Sequence, residues 1–278
     1  MPVRKILGKC MPEHALGNML REWRGRRKLS QLELALSSEI SSRHLSFIET
    51  GRSTPSASLV DRLARELDMP MRAHNALRLT AGYAPAHNER PLDDPGLEQA
   101  KAIVERILAG HEPYPAIAVD RAWNLVAANA ALPVLLEGVD PALLAPPVNV
   151  LRVALDPAGL APRIGNFAEW RAHILARLGA QIDASGDEAL VQLDEELRKL
   201  PFRDTAPPPH SSGQSIAVPL LLDSSAGRLS LISTTTVFGT PLDITLSEMA
   251  IEAFFPADRD TGKGRAGRTG WPAFARHR

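Results

Sequence analysis

Residues Leu29–Arg52, LSQLELALSSEISSRHLSFIETGR, decide how this chain is read. Ser30 followed by Glu33 forms a capping box. The hydroxyl accepts from the amide at position 33 and the carboxylate reaches back to the amide of Ser30, so a helix begins there. Leu32, Ala35 and Leu36 then fall on one face at helical spacing until Ser37, Ser38 and Glu39 interrupt the pattern. A turn of about three residues follows. Ile40 precedes a second cap at Ser41, Leu45 and Ile48 form the inward stripe of the next helix, and Gly51 supplies a left-handed stop. The expected structure is two short helices joined by a tight turn, a helix-turn-helix.

With Leu45 and Ile48 turned inward, Ser42, Arg43, Ser46 and Phe47 project from the N-terminal half of the second helix. That half reaches base edges when such a motif docks in a major groove, and Arg43 is of the type that reads guanine bidentately. The segments QLELA and SSRHLSFIETGR, with the following Thr54-Pro55, resemble the XRE (lambda-repressor-like) helix-turn-helix over roughly residues 15–85. The resemblance implies an all-α, five-helix DNA-binding bundle. Within it Gln31 and Arg52 would hold phosphates, Ser42, Arg43 and Phe47 would face bases, and Phe47 would meet a thymine methyl. Ser41 and Ser46 complete the DNA-binding set. The family's buried ion pair falls on Arg24 and Glu49, which places those two in the architecture. The turn glycine usual in the family is replaced by Glu39, and a non-glycine residue at positive φ costs about 1 kcal/mol.

Charge follows the same division. The formal net charge is zero, yet residues 1–90 hold 15 Lys/Arg against 9 Asp/Glu, residues 91–257 hold 11 against 21, and residues 258–278 hold 6 against 2. A basic head on an acidic body directs only the head toward a polyanion. Cys10 is the single cysteine, so an intramolecular disulfide and a cysteine-rich zinc site are excluded. No apolar run approaches the roughly 18 residues that span a bilayer, and MPVRKILGKC lacks a secretory apolar core. A cytoplasmic protein without a membrane partner is expected.

In order, residues 1–13 read as a loose basic leader. Ala15–Lys28 is a helix with Leu16, Met19, Leu20 and Trp23 inward; Ala57–Leu67 and Met71–Ala81 complete the bundle. The helix-turn-helix domain is set at 14–83. Residues 84–96, APAHNERPLDDPG, carry three prolines without apolar period and read as a linker. Such regulators dimerise because two half-sites about 34 Å apart match a two-fold operator, so a homodimer on double-stranded DNA is expected.

The body, 97–258, begins with a helix from Leu97 to Leu108. In YPAIAVDRAWNLVAANAALPVLL, residues 114–136, a strand over Ala116–Val119, a turn at Asp120-Arg121, a strand over Trp123–Ala127 and a helix led by Asn129 open a PAS-like domain. Ser215–Leu222 and Arg228–Val237 read as paired strands, and Met249–Phe255 alternates with period two, although Thr245 and Glu248 also permit a capped helix there. Helices are expected at Val148–Ala154, Phe167–Ile182 and Asp187–Leu200. The expected class is α+β, with about five antiparallel strands and helices on one side. The segments VDRAWNLVAANAA, NVLRVALDPAGLAPRIGNFAEWR and TTTVFGTPLDITLSEMAIEAFFPAD resemble the C-terminal ligand-binding domain of MmyB-like regulators. That resemblance implies a transcription regulator whose PAS-like domain senses a small molecule.

A PAS-type sheet curves around a cavity, with an apolar lining expected from Trp123, Leu125, Phe167, Trp170, Ile174, Leu231 and Phe238. Asn149, Arg152, Asn166, Arg171 and the Thr234–Thr236 run are the candidate polar anchors. An arginine near an apolar pocket suits a carboxylate on an acyl chain, which points to a fatty-acid-like effector. Two alternatives stay open: a constitutive DNA-binding protein whose body serves dimerisation or a protein partner, and a body that transforms its ligand.

Signals for catalysis are weak. Gly262–Gly267 satisfies G-x-G-x-x-G, but only eleven mostly polar residues follow and no βαβ unit surrounds it. Residues 259–278 read as a disordered basic tail. The eight histidines are scattered singly, and neither a G-x-S-x-G elbow nor a Walker sequence occurs. No enzyme, metal or cofactor is expected.

Overall fold

The computed structural model describes residues 14–201, 217–225, 227–258 and 261 of the 278. The basic leader, the start of the strand expected from Ser215, and the tail with its Gly262–Gly267 pattern lie outside the described residues, apart from Thr261. The chain divides into two units near Glu89 and Arg90.

The N-terminal unit contains α1 (Ala15–Arg26), α2 (Gln31–Ser37), α3 (Ser42–Glu49), α4 (Ala57–Glu66) and α5 (Met71–Thr80). All five end alike. A residue just beyond the helix turns left-handed, at Lys28, Glu39, Gly51, Asp68 and Gly82. The next amide then donates to the carbonyl five residues back, as in Leu29 to Arg24, Ile40 to Ala35 and Arg52 to Phe47. This closure satisfies carbonyls the helix leaves unpaired, and its repetition sharpens every corner of the bundle. The core is Leu20, Trp23, Leu34, Ala35, Leu45, Ile48, Leu59, Val60, Leu63, Leu67 and Leu77. The capping box at Ser30 is present, with the Glu33 amide donating to Oγ at 3.2 Å and the Ser30 amide donating to the Glu33 carboxylate at 2.7 Å.

One expectation about α2 is corrected. Leu34 and Ala35 face the core, whereas Leu32 and Leu36 are 57% and 68% exposed. In a seven-residue helix both stripes have helical spacing. The choice is made by α3, toward which Gln31 must turn to reach Glu49.

The C-terminal unit contains α6 (Glu98–Gly110), β1 (Ala116–Val119), β2 (Leu125–Ala128), α7 (Val150–Leu155), α8 (Phe167–Ser185), α9 (Glu188–Lys199), β3 (Leu220–Ser224), β4 (Gly227–Val237) and β5 (Ala250–Pro256). The five strands form one antiparallel sheet in the order β2-β1-β5-β4-β3, a PAS-like arrangement. Residues 250–256 are a strand, as their alternation indicated.

Helices cover both faces of this sheet rather than one. Ile117, Val119, Leu220, Leu222, Leu229 and Leu231 pack with α7, α8 and α9, while Ala116, Ala118 and Ile251 pack against Val104 and Leu108 of α6. All four residues of β1 are therefore buried. The helix expected after Asn129 is only a 3-10 turn at Leu132–Val134. Asn129 is occupied in joining segments: its amide donates to the carbonyls of Leu108 and Tyr114, and its oxygen accepts from the Ala116 amide.

Candidate functional site

The first site is the exposed end of α3. Ser41 caps the helix, its Oγ accepting from the His44 amide at 3.1 Å. Ser41, Ser42, Arg43 and Arg52 are exposed, and Ser46 and Phe47 are half-buried. Gly51, at φ 73, reverses the chain so that the Arg52 amide donates to the Phe47 carbonyl at 2.7 Å. This return brings Arg52 beside Arg43. The two guanidinium carbons lie 6.0 and 5.3 Å from the Phe47 ring centroid, one apolar ring holding two cations. Six of the seven expected DNA-binding residues thus gather on one helix, with Ser41 at its cap, Ser42, Arg43, Ser46 and Phe47 within it and Arg52 just past its end.

Gln31 sits differently from a free phosphate ligand. Its amide donates at 3.1 Å to Glu49, whose buried carboxylate also receives Arg24 Nε at 2.9 Å and Nη2 at 3.2 Å. The Arg24–Glu49 pair joins α1 to α3, as the family pattern implied. Gly17 allows the same two helices to meet backbone to backbone, since a Cβ there would lie 2.0 Å from the Glu49 carbonyl oxygen. Glu39 does adopt positive φ, 52°, and its carboxylate pairs with Arg62 of α4 at 3.0 Å.

The second site is a cavity of about 100 Å³ between the sheet and α7–α8. Its wall is mainly aliphatic, with Trp123, Leu125, Trp170 and Ile174 among the lining residues. Holding one water requires roughly 10–15 Å³ on the same kind of measure, so the space exceeds what a trapped solvent molecule needs. One end is polar, formed by His173, Arg177, Ser233 and Glu252. Arg177 donates to both oxygens of Glu252, one at 3.0 Å, and to Thr235 Oγ1 at 2.7 Å; the Thr235 hydroxyl is also 2.7 Å from Glu252 Oε1. Its guanidinium carbon lies 4.7 Å from the Trp123 ring centroid. Burial, then the Arg177 charge, lowers the His173 pKa below the ordinary histidine value.

Trp123 has φ 65, a left-handed conformation that a bulky side chain adopts only under constraint. The constraint is visible. Asp120 Oδ1 accepts from the amides of Ala122 and Asn124, both at 2.8 Å, and Asn149 donates to the Ala122 carbonyl at 2.7 Å. The indole Nε1 donates to Gln181 at 2.8 Å. The tryptophan therefore begins no strand; it is a turn residue aimed into the cavity.

Of the eight residues expected to hold an effector, Trp123 and Trp170 line the cavity. The other six are placed elsewhere for identifiable reasons. Asn149 caps α7 and clamps the Trp123 turn. Arg152 forms a two-point pair with Glu196 at 2.8 and 2.7 Å, joining α7 to α9. Asn166 is 2% exposed and ties the start of α8 to β3 through Pro219 and Leu221. Phe167 belongs to the packed core, Arg171 donates to the carbonyls of Leu197 and Arg198 at the end of α9, and Phe238 packs with the cluster on the α6 side. Leu231 is likewise core. The residues overlooked had a readable signal, because His173 and Arg177 continue the Trp170–Ile174 stripe at helical spacing.

Among the described residues no group of three His, Cys, Asp or Glu is placed to hold a metal, and no helix is long and apolar enough to cross a membrane.

Comparison with known proteins agrees with this division. A helix-turn-helix family matches residues 20–73, and the family described as MmyB-like transcription regulator ligand binding domain matches residues 100–266. No curated protein matches the chain. Among solved structures, the restriction-modification controller protein C.AhdI from Aeromonas hydrophila is 31% identical over 22% of this chain and 94% of its own, with a TM-score of 0.21. The clp gene regulator ClgR from Corynebacterium glutamicum is 27% identical over 26% of this chain and 91% of its own, with a TM-score of 0.23. With most of its length matched by one family and a helix-turn-helix ahead of it, the chain belongs to the MmyB-like transcription regulators.

Proposed function

We propose that this regulator reads an operator with α3 and adjusts its affinity for that operator according to whether a small apolar effector fills the cavity of its PAS-like unit. Residues 14–83 form the DNA-binding domain, 84–96 the connection and 97–258 the effector domain, in a cytoplasmic homodimer. The body binds its ligand without transforming it. The observation that carries the reading is the mostly aliphatic cavity with a single polar end, in a chain whose other unit exposes Arg43 at the start of α3. Arg52 supplies a phosphate contact and Gln31 a second through the amide hydrogen it does not give to Glu49, with Ser41, Ser42, Arg43, Ser46 and Phe47 along the groove.

The fatty-acid-like reading keeps its acyl body, which the aliphatic wall suits. It loses Arg152 and Arg171 as carboxylate anchors, since both are engaged outside the cavity. Ligand and DNA are coupled only if the ligand binds the two DNA-affinity states differently, typically a 5- to 150-fold effect.

Native mass spectrometry of the purified chain, followed by operator titration with and without the extracted molecule, tests the effector. A retained apolar compound that shifts operator affinity supports the reading; one that leaves it unchanged refutes coupling. Arg43→Ala tests the DNA contact, with an expected loss of about 1–3 kcal/mol at the operator and little on random DNA. Equal losses on both would remove Arg43 from base reading.

A further inference from the structure

The polar end of the cavity carries information about the effector's head group. Arg177 is the cation among the described lining residues, and it is already matched. Glu252, 4% exposed, accepts from both ends of the guanidinium, Thr235 adds a third contact, and the Trp123 ring lies against its face. His173 contributes no reserve of positive charge, because burial and the neighbouring Arg177 favour its neutral form; Glu169 and Glu252 oppose that shift without reversing it. The charged groups at this end therefore sum to zero, with one buried carboxylate already in place.

A carboxylate entering this space would shed its hydration, meet Glu252 as a like charge and find Arg177 spoken for. A neutral head meets none of these costs. Hydrogen-bonding groups remain available in kind, since His173 and Ser233 each present both donor and acceptor capacity at the same end. Resting on the cavity as the effector site, we infer that the effector is an amphiphile with an uncharged polar head, an alcohol, ester or amide on an apolar body, rather than a free carboxylic acid.

The test is calorimetric titration of the full-length protein with three probes of equal chain length, octanamide, 1-octanol and octanoate. At about pH 8, where octanoate is fully ionised, the two neutral probes are expected to bind at least tenfold more tightly, about 1.4 kcal/mol. The gap should narrow toward about pH 5 as the acid takes up a proton. Glu252→Gln removes the internal counter-charge and should raise octanoate affinity relative to octanamide at least tenfold. Octanoate binding the unaltered protein as tightly as octanamide at about pH 8 would overturn the head-group assignment, and that comparison decides even if the variant does not fold. Absence of binding by all three probes would instead overturn the cavity's role as an apolar effector site, and the assignment with it.

Discussion

Replacing Glu49 with Gln probes the junction that sets α3 on the bundle. The carboxylate is 2% exposed and accepts three hydrogen bonds, from Arg24 Nε, Arg24 Nη2 and Gln31 Nε2. Gln keeps the volume and one acceptor, but turns an NH₂ group toward donors. Charge-assisted bonds contribute about 1.5–3 kcal/mol each, and breaking a fully buried pair costs about 3–5 kcal/mol. Here the Arg24 side chain is 20% exposed and donates to the Leu29 carbonyl at 3.1 Å, so part of its charge stays solvated and bonded. The expected loss is therefore about 2–3 kcal/mol, below the fully buried case. Native-state hydrogen exchange on the intact chain reads this locally. Amides of α1 and α3 whose exchange needs the bundle to open should exchange about 30- to 150-fold faster, with peptides from Ala250–Pro256 unchanged as an internal control. Acceleration below about threefold would mean that the pair contributes under 1 kcal/mol and that packing alone seats α3.

Three further outcomes follow from the same unit. Gly17→Ala adds a methyl 2.0 Å from a backbone oxygen of α3; the helix-propensity gain of about 1 kcal/mol is outweighed by separation of α1 from α3, for a net loss of about 1–2 kcal/mol, and an unchanged calorimetric Tm would refute that close approach. Glu39→Gly relieves positive φ worth about 1 kcal/mol and forgoes a surface pair with Arg62 worth less, so urea unfolding should show a gain of about 0.5 kcal/mol, whereas Glu39→Ala, which keeps the strain, should show a loss. Acidification should loosen the contact between α5 and residues 84–89. His87 lies 3.0 Å from His74, which in turn contacts Asp61, itself paired with Arg78. Burial, then the His74 charge, lowers the His87 pKa, while Asp61 is also low because bonds from Arg78 and His74 outweigh its burial. Both shifts contribute stability above the groups' ordinary values, lost for His87 as pH falls below about 6.5 and for Asp61 only below about 4. Protection factors in residues 84–89, with the intrinsic pH dependence of amide exchange divided out, that stay flat between about pH 7 and pH 5 would exclude the histidine pair from this role.

Much of the molecule was legible from local chemistry. The caps at Ser30 and Ser41, the stop at Gly51 and the inward pair Leu45–Ile48 depend on groups a few residues apart, and the structure has them all. The period-two run after Met249 made β5, and the Trp170–Ile174 spacing placed two residues in the cavity wall. Matching of residue types to a family pattern located Arg24 with Glu49, 25 positions apart, where spacing alone would not.

The sequence by itself determined where the helices of the N-terminal unit start and stop, which charge belongs to which unit, and which end of α3 is exposed, because each rests on neighbours along the chain. Tertiary structure alone decided which arginines are available to a ligand. Arg152 and Arg171 were as plausible as Arg177 in one dimension, but α9 claims the first two, and a glutamate 75 residues away pairs with the third at the polar end of the cavity. It also decided the buried stripe of α2, the second covered face of the sheet and the left-handed turn at Trp123. Each of these depends on a partner distant in sequence, and the energy of a polar group depends on which distant partner it meets.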